Sequence, residues 1–160
     1  MLWIPQKGQL QTESNVGATA NATLGTSVTT GAASATKGTV AQLIASTSFD
    51  SYLMQITAAD YGTSAPASAG CLDILVGGAG SEIALISNLL MGACGGMGIQ
   101  IRGPKHWLFP IYIPAGTRIS AQAAGLRLST AFKVSVYLWG GVGYPPFKVG
   151  TQVDTYGIGT

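Results

Sequence analysis

The sequence predicts an all-β protein in which two antiparallel sheets pack as a sandwich with jelly-roll-like connections. Three runs within residues 107–141 alternate apolar and polar side chains with a period of two. That period is typical of strands with one buried face. Turn formers such as Pro-Ala-Gly separate the runs, which indicates neighbouring antiparallel strands. At 160 residues the chain suits one domain that can bury a sizeable core.

The N-terminal residues 1–38 are expected to form an arm and an extended loop segment. Trp3 and Ile4 are apolar and lie close to the terminus, so they either pack back on the domain or dock on a neighbouring subunit. Residues 13–38 are rich in Ala, Gly, Ser and Thr, a composition that contributes little core. Their glycines and β-branched residues disfavour a helix.

Residues 39–148 are expected to form the sandwich. Its first four strands are predicted at residues 39–46, 50–58, 71–76 and 82–90. The fourth run, EIALISNLL, could be read as a helix, but its length, flanking glycines and isoleucines favour a strand. Residues 91–106 hold five glycines and are predicted to be a loop, with a bulged edge piece at residues 99–102.

The last three strands supply the clearest predicted core. The side chains expected to face inward are Phe109, Ile111, Ile113, Ile119, Ala121, Ala123, Phe132, Val134, Val136 and Leu138. Residues 144–148 (YPPFK) should end the sheet, because paired prolines cannot join a hydrogen-bonded ladder. Residues 149–160 are polar and Gly-rich and are predicted to be a tail or linker.

The strand count and the turn spacing favour a jelly roll over an antibody-type sandwich. About seven to nine short strands with frequent turns indicate two packed sheets. Neither Trp107 nor Trp139 has the Cys–Trp–Cys framing of an antibody domain.

The composition points to a surface that other molecules cover. Charged residues make up 9% of the chain, against about a quarter in ordinary soluble domains. A surface with so few charges is poorly protected against association with other proteins. We therefore expect copies of the chain or a larger assembly to cover it. The net charge of +2 and the lack of a basic stripe argue against nucleic acid as a partner. No membrane span or signal peptide is recognisable, so we expect synthesis in the cytoplasm.

Residue types that carry chemistry are sparse. Cys71 and Cys94 could pair if the fold brought them together, but buried free thiols are the favoured interpretation. No Cys-x-x-Cys or His-x-His spacing occurs, so we expect no metal site and no cofactor. The single histidine, His106, is expected at the surface or in an interface.

The remaining catalytic patterns are weak, and we predict that the chain is not an enzyme. Asp73 and Glu82 flank a predicted hairpin, and a polysaccharide hydrolase needs two carboxylates about 5 to 10 Å apart across a cleft. Without an aromatic-lined groove, solvated turn carboxylates are the favoured interpretation. The glycine-rich sequences GGAGS and MGACGG lack the Lys-Ser/Thr ending of a phosphate loop.

Aromatic and basic residues provide the candidate binding surfaces. The candidate assembly contacts are Trp3, Ile4, Arg102, Lys105, Trp107 and Tyr144. Arg and aromatic side chains are enriched in protein interfaces, and four of these residues are of those types. An alternative is that loop aromatics, Tyr61, Trp107 and Tyr144, recognise a host-surface glycan.

Four stretches resemble a known module. The sequences PIYIPAGTRISAQAAG and VSVYLWGG resemble a β-sandwich module of virion proteins in tailed bacteriophages, and LDILVGGAGSEIALISNLL and VGTQVDTYG are similar to the same module. Together they span about residues 46–157. The resemblance implies a structural protein, found either as capsid decoration or head fibre or in tail and baseplate fibres. It implies no catalytic residues.

We therefore expect a virion protein that forms a homo-oligomer, a trimer, and contacts other virion proteins such as the major capsid protein. The alternative is a tail or baseplate fibre module that binds host-surface glycan. An enzyme that cleaves host polysaccharide through Asp73 is the third hypothesis.

Overall fold

The computed structural model describes residues 10–15, 25–60, 70–91, 104–126, 129, 131–141 and 148–153. These residues form nine strands: β1 (Gln11–Ser14), β2 (Thr26–Thr29), β3 (Ala41–Ile44), β4 (Ser51–Asp60), β5 (Gly70–Val76), β6 (Ile83–Met91), β7 (Lys105–Phe109), β8 (Ile119–Gly125) and β9 (Ala131–Gly140). The all-β prediction is confirmed, including a strand rather than a helix at β6. In the described part of the chain, no helix could cross a membrane.

The strands form two antiparallel sheets. Sheet A has the order β1-β9-β4-β7, with β2 also paired to β9, and sheet B has the order β3-β8-β5-β6. Both β1 and β2 pair with β9, one after the other along its length. They therefore act as one interrupted strand, and each sheet is four strands wide. Consecutive strands mostly alternate between the sheets. This is the connectivity of a jelly roll, as predicted.

The core lies between the sheets, where the alternating side chains meet. Nine of the ten residues predicted to face inward are buried, and the tenth, Phe109, is half-buried and packs against the core. Met54, Ile56, Leu72, Ile74 and Ile86 complete the centre of this cluster. The period of two therefore predicts the inner faces well.

The segment predicted to be an arm and loop contributes to the sandwich. β1 pairs with residues 137–140 of β9, and β2 pairs with residues 131–134. The side chain of Asn15 bridges the interruption: its Oδ1 accepts the Val136 amide proton (2.7 Å), and its Nδ2 donates to the Val134 carbonyl (3.0 Å). The sequence predicts mostly loop with irregular extended pieces for residues 13–38, and the structure has short strands there, since edge strands need few large apolar side chains. Only Val28 of β2 enters the core.

Residues 148–153 also belong to the sandwich, although composition predicts a tail from residue 149. Gly150 pairs with Ile111, beside the end of β7, and Val153 pairs with Ile86 in β6. Val153 packs against the core. The segment thus connects the edge of sheet A to the edge of sheet B and closes that side of the sandwich.

Candidate functional site

The basic and aromatic residues of β7 alternate between the two faces of sheet A. Lys105 pairs with Ala58 and Trp107 with Ile56, while His106 between them points to the opposite face of sheet A. Trp107 is half-buried and packs against the core. Trp107 therefore stabilises the fold, and only Lys105 and His106 are exposed.

Several predicted residues lie outside the described part of the chain. They are Trp3, Ile4, Tyr61, Cys94, Arg102 and Tyr144. The predicted edge piece at residues 99–102 and the proline-rich end at residues 144–147 also lie outside it.

Asp73 is buried in β5, where the sequence interpretation expected a solvated turn carboxylate. Its exposed fraction is 3%, and it forms an ion pair with Lys37. Its Oδ1 accepts the amide proton of Asn88 at 2.8 Å, where β6 bulges and Asn88 takes a left-handed backbone conformation (φ 51°). Lys37 forms an isolated β-bridge with Ala124 of β8. The ion pair therefore connects three chain segments of sheet B: the segment around Lys37, β8 and β5.

Glu82 belongs to a different ion pair. Arg118 Nη1 donates to Glu82 Oε1 at 2.7 Å, and Arg118 Nε donates to Gln42 Oε1 at 3.1 Å. The hydrogen bond from Arg118 is the main cause that lowers the pKa of Glu82. Asp73 and Glu82 are thus held by separate cations, and the geometry gives no support to their interpretation as a catalytic pair. Among the described residues, no group of three His, Cys, Asp or Glu could hold a metal ion.

The Arg118–Glu82 pair predicts a pH-dependent stability. Because the folded pKa lies below the unfolded one, ionised Glu82 stabilises the fold above about pH 4.3, and this is lost as the pH falls through the folded pKa. We expect Glu82→Gln to lower the urea midpoint of unfolding at pH 7 and to change it less at pH 3. An equal shift at both pH values would contradict the assignment.

Cys71 lies on the outer face of sheet B and is a free thiol. It is flanked across the sheet by Leu90 and Ala124. Burial, followed by the nearby charge of Asp73, raises the pKa of the Cys71 thiol. The protonated form is therefore favoured, which fits the interpretation of a small apolar side chain.

The outer face of sheet A carries an uncharged patch of large side chains, which we call the aromatic face. It consists of Leu53, Gln55, Leu108, Tyr137 and Trp139. Trp139 lies opposite Leu53, and Gln55 lies between Tyr137 and Leu108. The rings of Tyr137 and Trp139 stack with centroids 6.2 Å apart, and Leu108 is 59% exposed. The alternation predicts that Tyr137 faces outward, but only the strand pairing reveals its neighbours.

The fold is a jelly roll that carries the aromatic face on the outer side of sheet A. No known protein family and no curated protein matches the sequence. Among solved structures, the chain is similar to one titled "Structure of infectious bursal disease virus Gx strain", at 15% identity and a TM-score of 0.38. The match covers 86% of this chain and 34% of that one, so this chain spans about a third of its length.

Proposed function

We propose that this chain is a structural protein of a tailed-bacteriophage virion, a capsid decoration or head-fibre component built from several copies. The observation that carries the proposal is the aromatic face, where Leu108 is 59% exposed beside the stacked, half-buried rings of Tyr137 and Trp139. Exposed apolar patches mark protein-interaction sites. The assignment to a phage rests on the sequence resemblance described above.

Such a protein acts by binding, without a reaction. A contact that buries about 1,600 Å² is enough for a specific, stable complex. A protein that binds the assembled shell but not its separate parts stabilises the shell by mass action. The ion pairs Lys37–Asp73 and Arg118–Glu82 each connect segments of sheet B that lie far apart in the chain.

Particles that lack the protein provide the test. We expect particles assembled without it to release their genome at a lower temperature than complete particles, and added purified protein to restore the difference. Mass spectrometry of complete particles should find the chain in a fixed ratio to the major capsid protein. Absence of the chain from purified particles would refute the proposal.

One observation favours a second candidate, a tail or baseplate fibre module that binds host-surface glycan. The stacked rings of Tyr137 and Trp139 form a platform with the Gln55 side chain beside them. Sugar rings bind to apolar surfaces with a few well-placed polar groups. Glycan binding on an array that is lost in Trp139→Ala would favour this candidate. Trp107→Ala is a poor probe, because Trp107 packs against the core.

A further inference from the structure

We infer that the N-terminal segment, residues 1–9, folds back over the aromatic face of its own chain while the chain is free. The inference rests on the proposed function, in which this face contacts the particle, and adds how the face is covered before assembly. The sequence leaves two possibilities for Trp3 and Ile4, which are packing on their own domain and docking on a neighbouring subunit. The place where the segment joins the sandwich favours the first.

Residues 1–9 join the sandwich at the edge of the aromatic face. β1 pairs with the end of β9, and Thr12 of β1 lies opposite Trp139. Because side chains alternate along an extended chain, Leu10 lies on the same outer side of sheet A as Thr12. Leu10 is 49% exposed, so an apolar side chain already stands beside the face where the segment begins.

The segment is long enough to cover the face. Leu53 lies two strands from Thr12, which places it about 12 Å from Leu10 at about 4.8 Å per strand and 3.3 Å per residue. The chain from Leu10 back to Leu2 spans up to about 26 Å when it is extended. Gly8 suits a turn, so the segment can reverse its direction there and run back over the sheet.

The side chains of the segment match those of the face. Leu2, Trp3 and Ile4 are three consecutive apolar residues, and Leu108 on the face is 59% exposed. Contact between the two removes apolar surface of both from water. The stacked rings of the face also suit another aromatic ring, since offset and edge-to-face ring contacts are favourable.

The size of the face fits a short segment. The face spans β9, β4 and β7 and about four residues along each strand, which gives about 190 Å² at the spacings above. One tryptophan side chain buries about 150–250 Å². A stable contact between folded proteins takes about 800 Å² from each partner. The face alone therefore suits the segment, and a contact with the particle has to extend beyond it.

Covering the face protects the free chain. Charged residues make up 9% of the chain, and a surface with so few charges is prone to association. A segment attached to the same chain acts at a high effective concentration, so it competes well with a separate molecule for the face. A partner that offers a larger contact can still displace it.

Disulfide trapping tests the inference. In a chain with Cys71→Ala and Cys94→Ala, Leu2→Cys is combined either with Leu53→Cys on the aromatic face or with Leu90→Cys on the outer face of sheet B. Leu90 is 63% exposed and Leu53 is half-buried, so the control position is the more accessible one. Under mild oxidation, we expect the crosslink within one chain to form about tenfold faster with Leu53→Cys. Intact mass and gel mobility without reductant measure it.

A second comparison shows whether the apolar side chains cause the contact. Replacing Trp3 and Ile4 by serine should slow the crosslink to the aromatic face to the rate of the sheet B control. Replacing Gln6 and Gln9 by serine, in the same segment, should leave the rate unchanged. Circular dichroism checks that every variant folds.

Three outcomes would overturn the inference: equal crosslinking at the two positions, a crosslink between two chains instead of within one, or no effect of the serine replacements at Trp3 and Ile4. Particle binding separates this result from the proposed function. If no crosslink forms but the chain is found in particles, the virion role stands and the cover is wrong. If the crosslinked chain still restores particle stability, the cover stands and the aromatic face is not the particle contact.

Discussion

Deleting residues 148–160 should lower the free energy of unfolding by about 2.5–5.5 kcal/mol, the sum of about 0.5–1.5 kcal/mol for each of the three hydrogen bonds below and about 1 kcal/mol for the partly buried Val153. The segment closes the sandwich between the edges of the two sheets. Gly150 accepts a hydrogen bond from the Tyr112 amide and donates one to the Pro110 carbonyl, both at 2.9 Å. The Val153 amide donates to Leu85 at 2.9 Å.

The control is deletion of residues 154–160 alone, which keeps all of these contacts. We expect the shorter deletion to leave the urea midpoint close to that of wild type, and the longer one to lower it strongly. Equal midpoints for the two deletions would show that residues 148–153 contribute nothing to closing the sandwich.

Replacing Asp73 by alanine should cost about 3 kcal/mol, because removing one partner of a buried ion pair leaves the other partner and a backbone amide without compensation. The carboxylate is 3% exposed, receives the Asn88 amide proton, and pairs with Lys37. Lys37 keeps 41% of its side chain exposed, which places the cost at the lower end of the range for buried pairs.

Asp73→Asn separates the two contributions. The amide oxygen can still accept the Asn88 proton, while the charge that pairs with Lys37 is gone. We expect urea unfolding to give a smaller loss for Asp73→Asn than for Asp73→Ala. Stability equal to wild type in both variants would contradict the role of Asp73 in holding sheet B together.

The period of two predicts β8, β9 and the inner core, because each of these strands has one wholly apolar face. The same rule fails for β1 and β2, which are four-residue edge strands with Val28 as their one apolar side chain. Asn15, at the interruption between them, forms hydrogen bonds with Val134 and Val136, more than a hundred residues away in the chain. A contact between segments so far apart leaves no pattern in the local sequence.

The candidate surface was predictable only in part. Alternation places Tyr137 on the outer side of its strand, but Leu53 and Leu108 become its neighbours only through the register of β4 and β7. Asp73 shows the same limit, since its burial depends on a lysine that reaches it from another chain segment. Sequence patterns predict which side a residue faces, and strand pairing decides what it meets.

The most direct test of the central claim is cryo-electron microscopy of purified particles carrying a labelled copy of this chain. The account predicts label at regular, symmetry-related positions on the particle, with density for a two-sheet sandwich at each position. Particles without label, or with label at irregular positions, would contradict it.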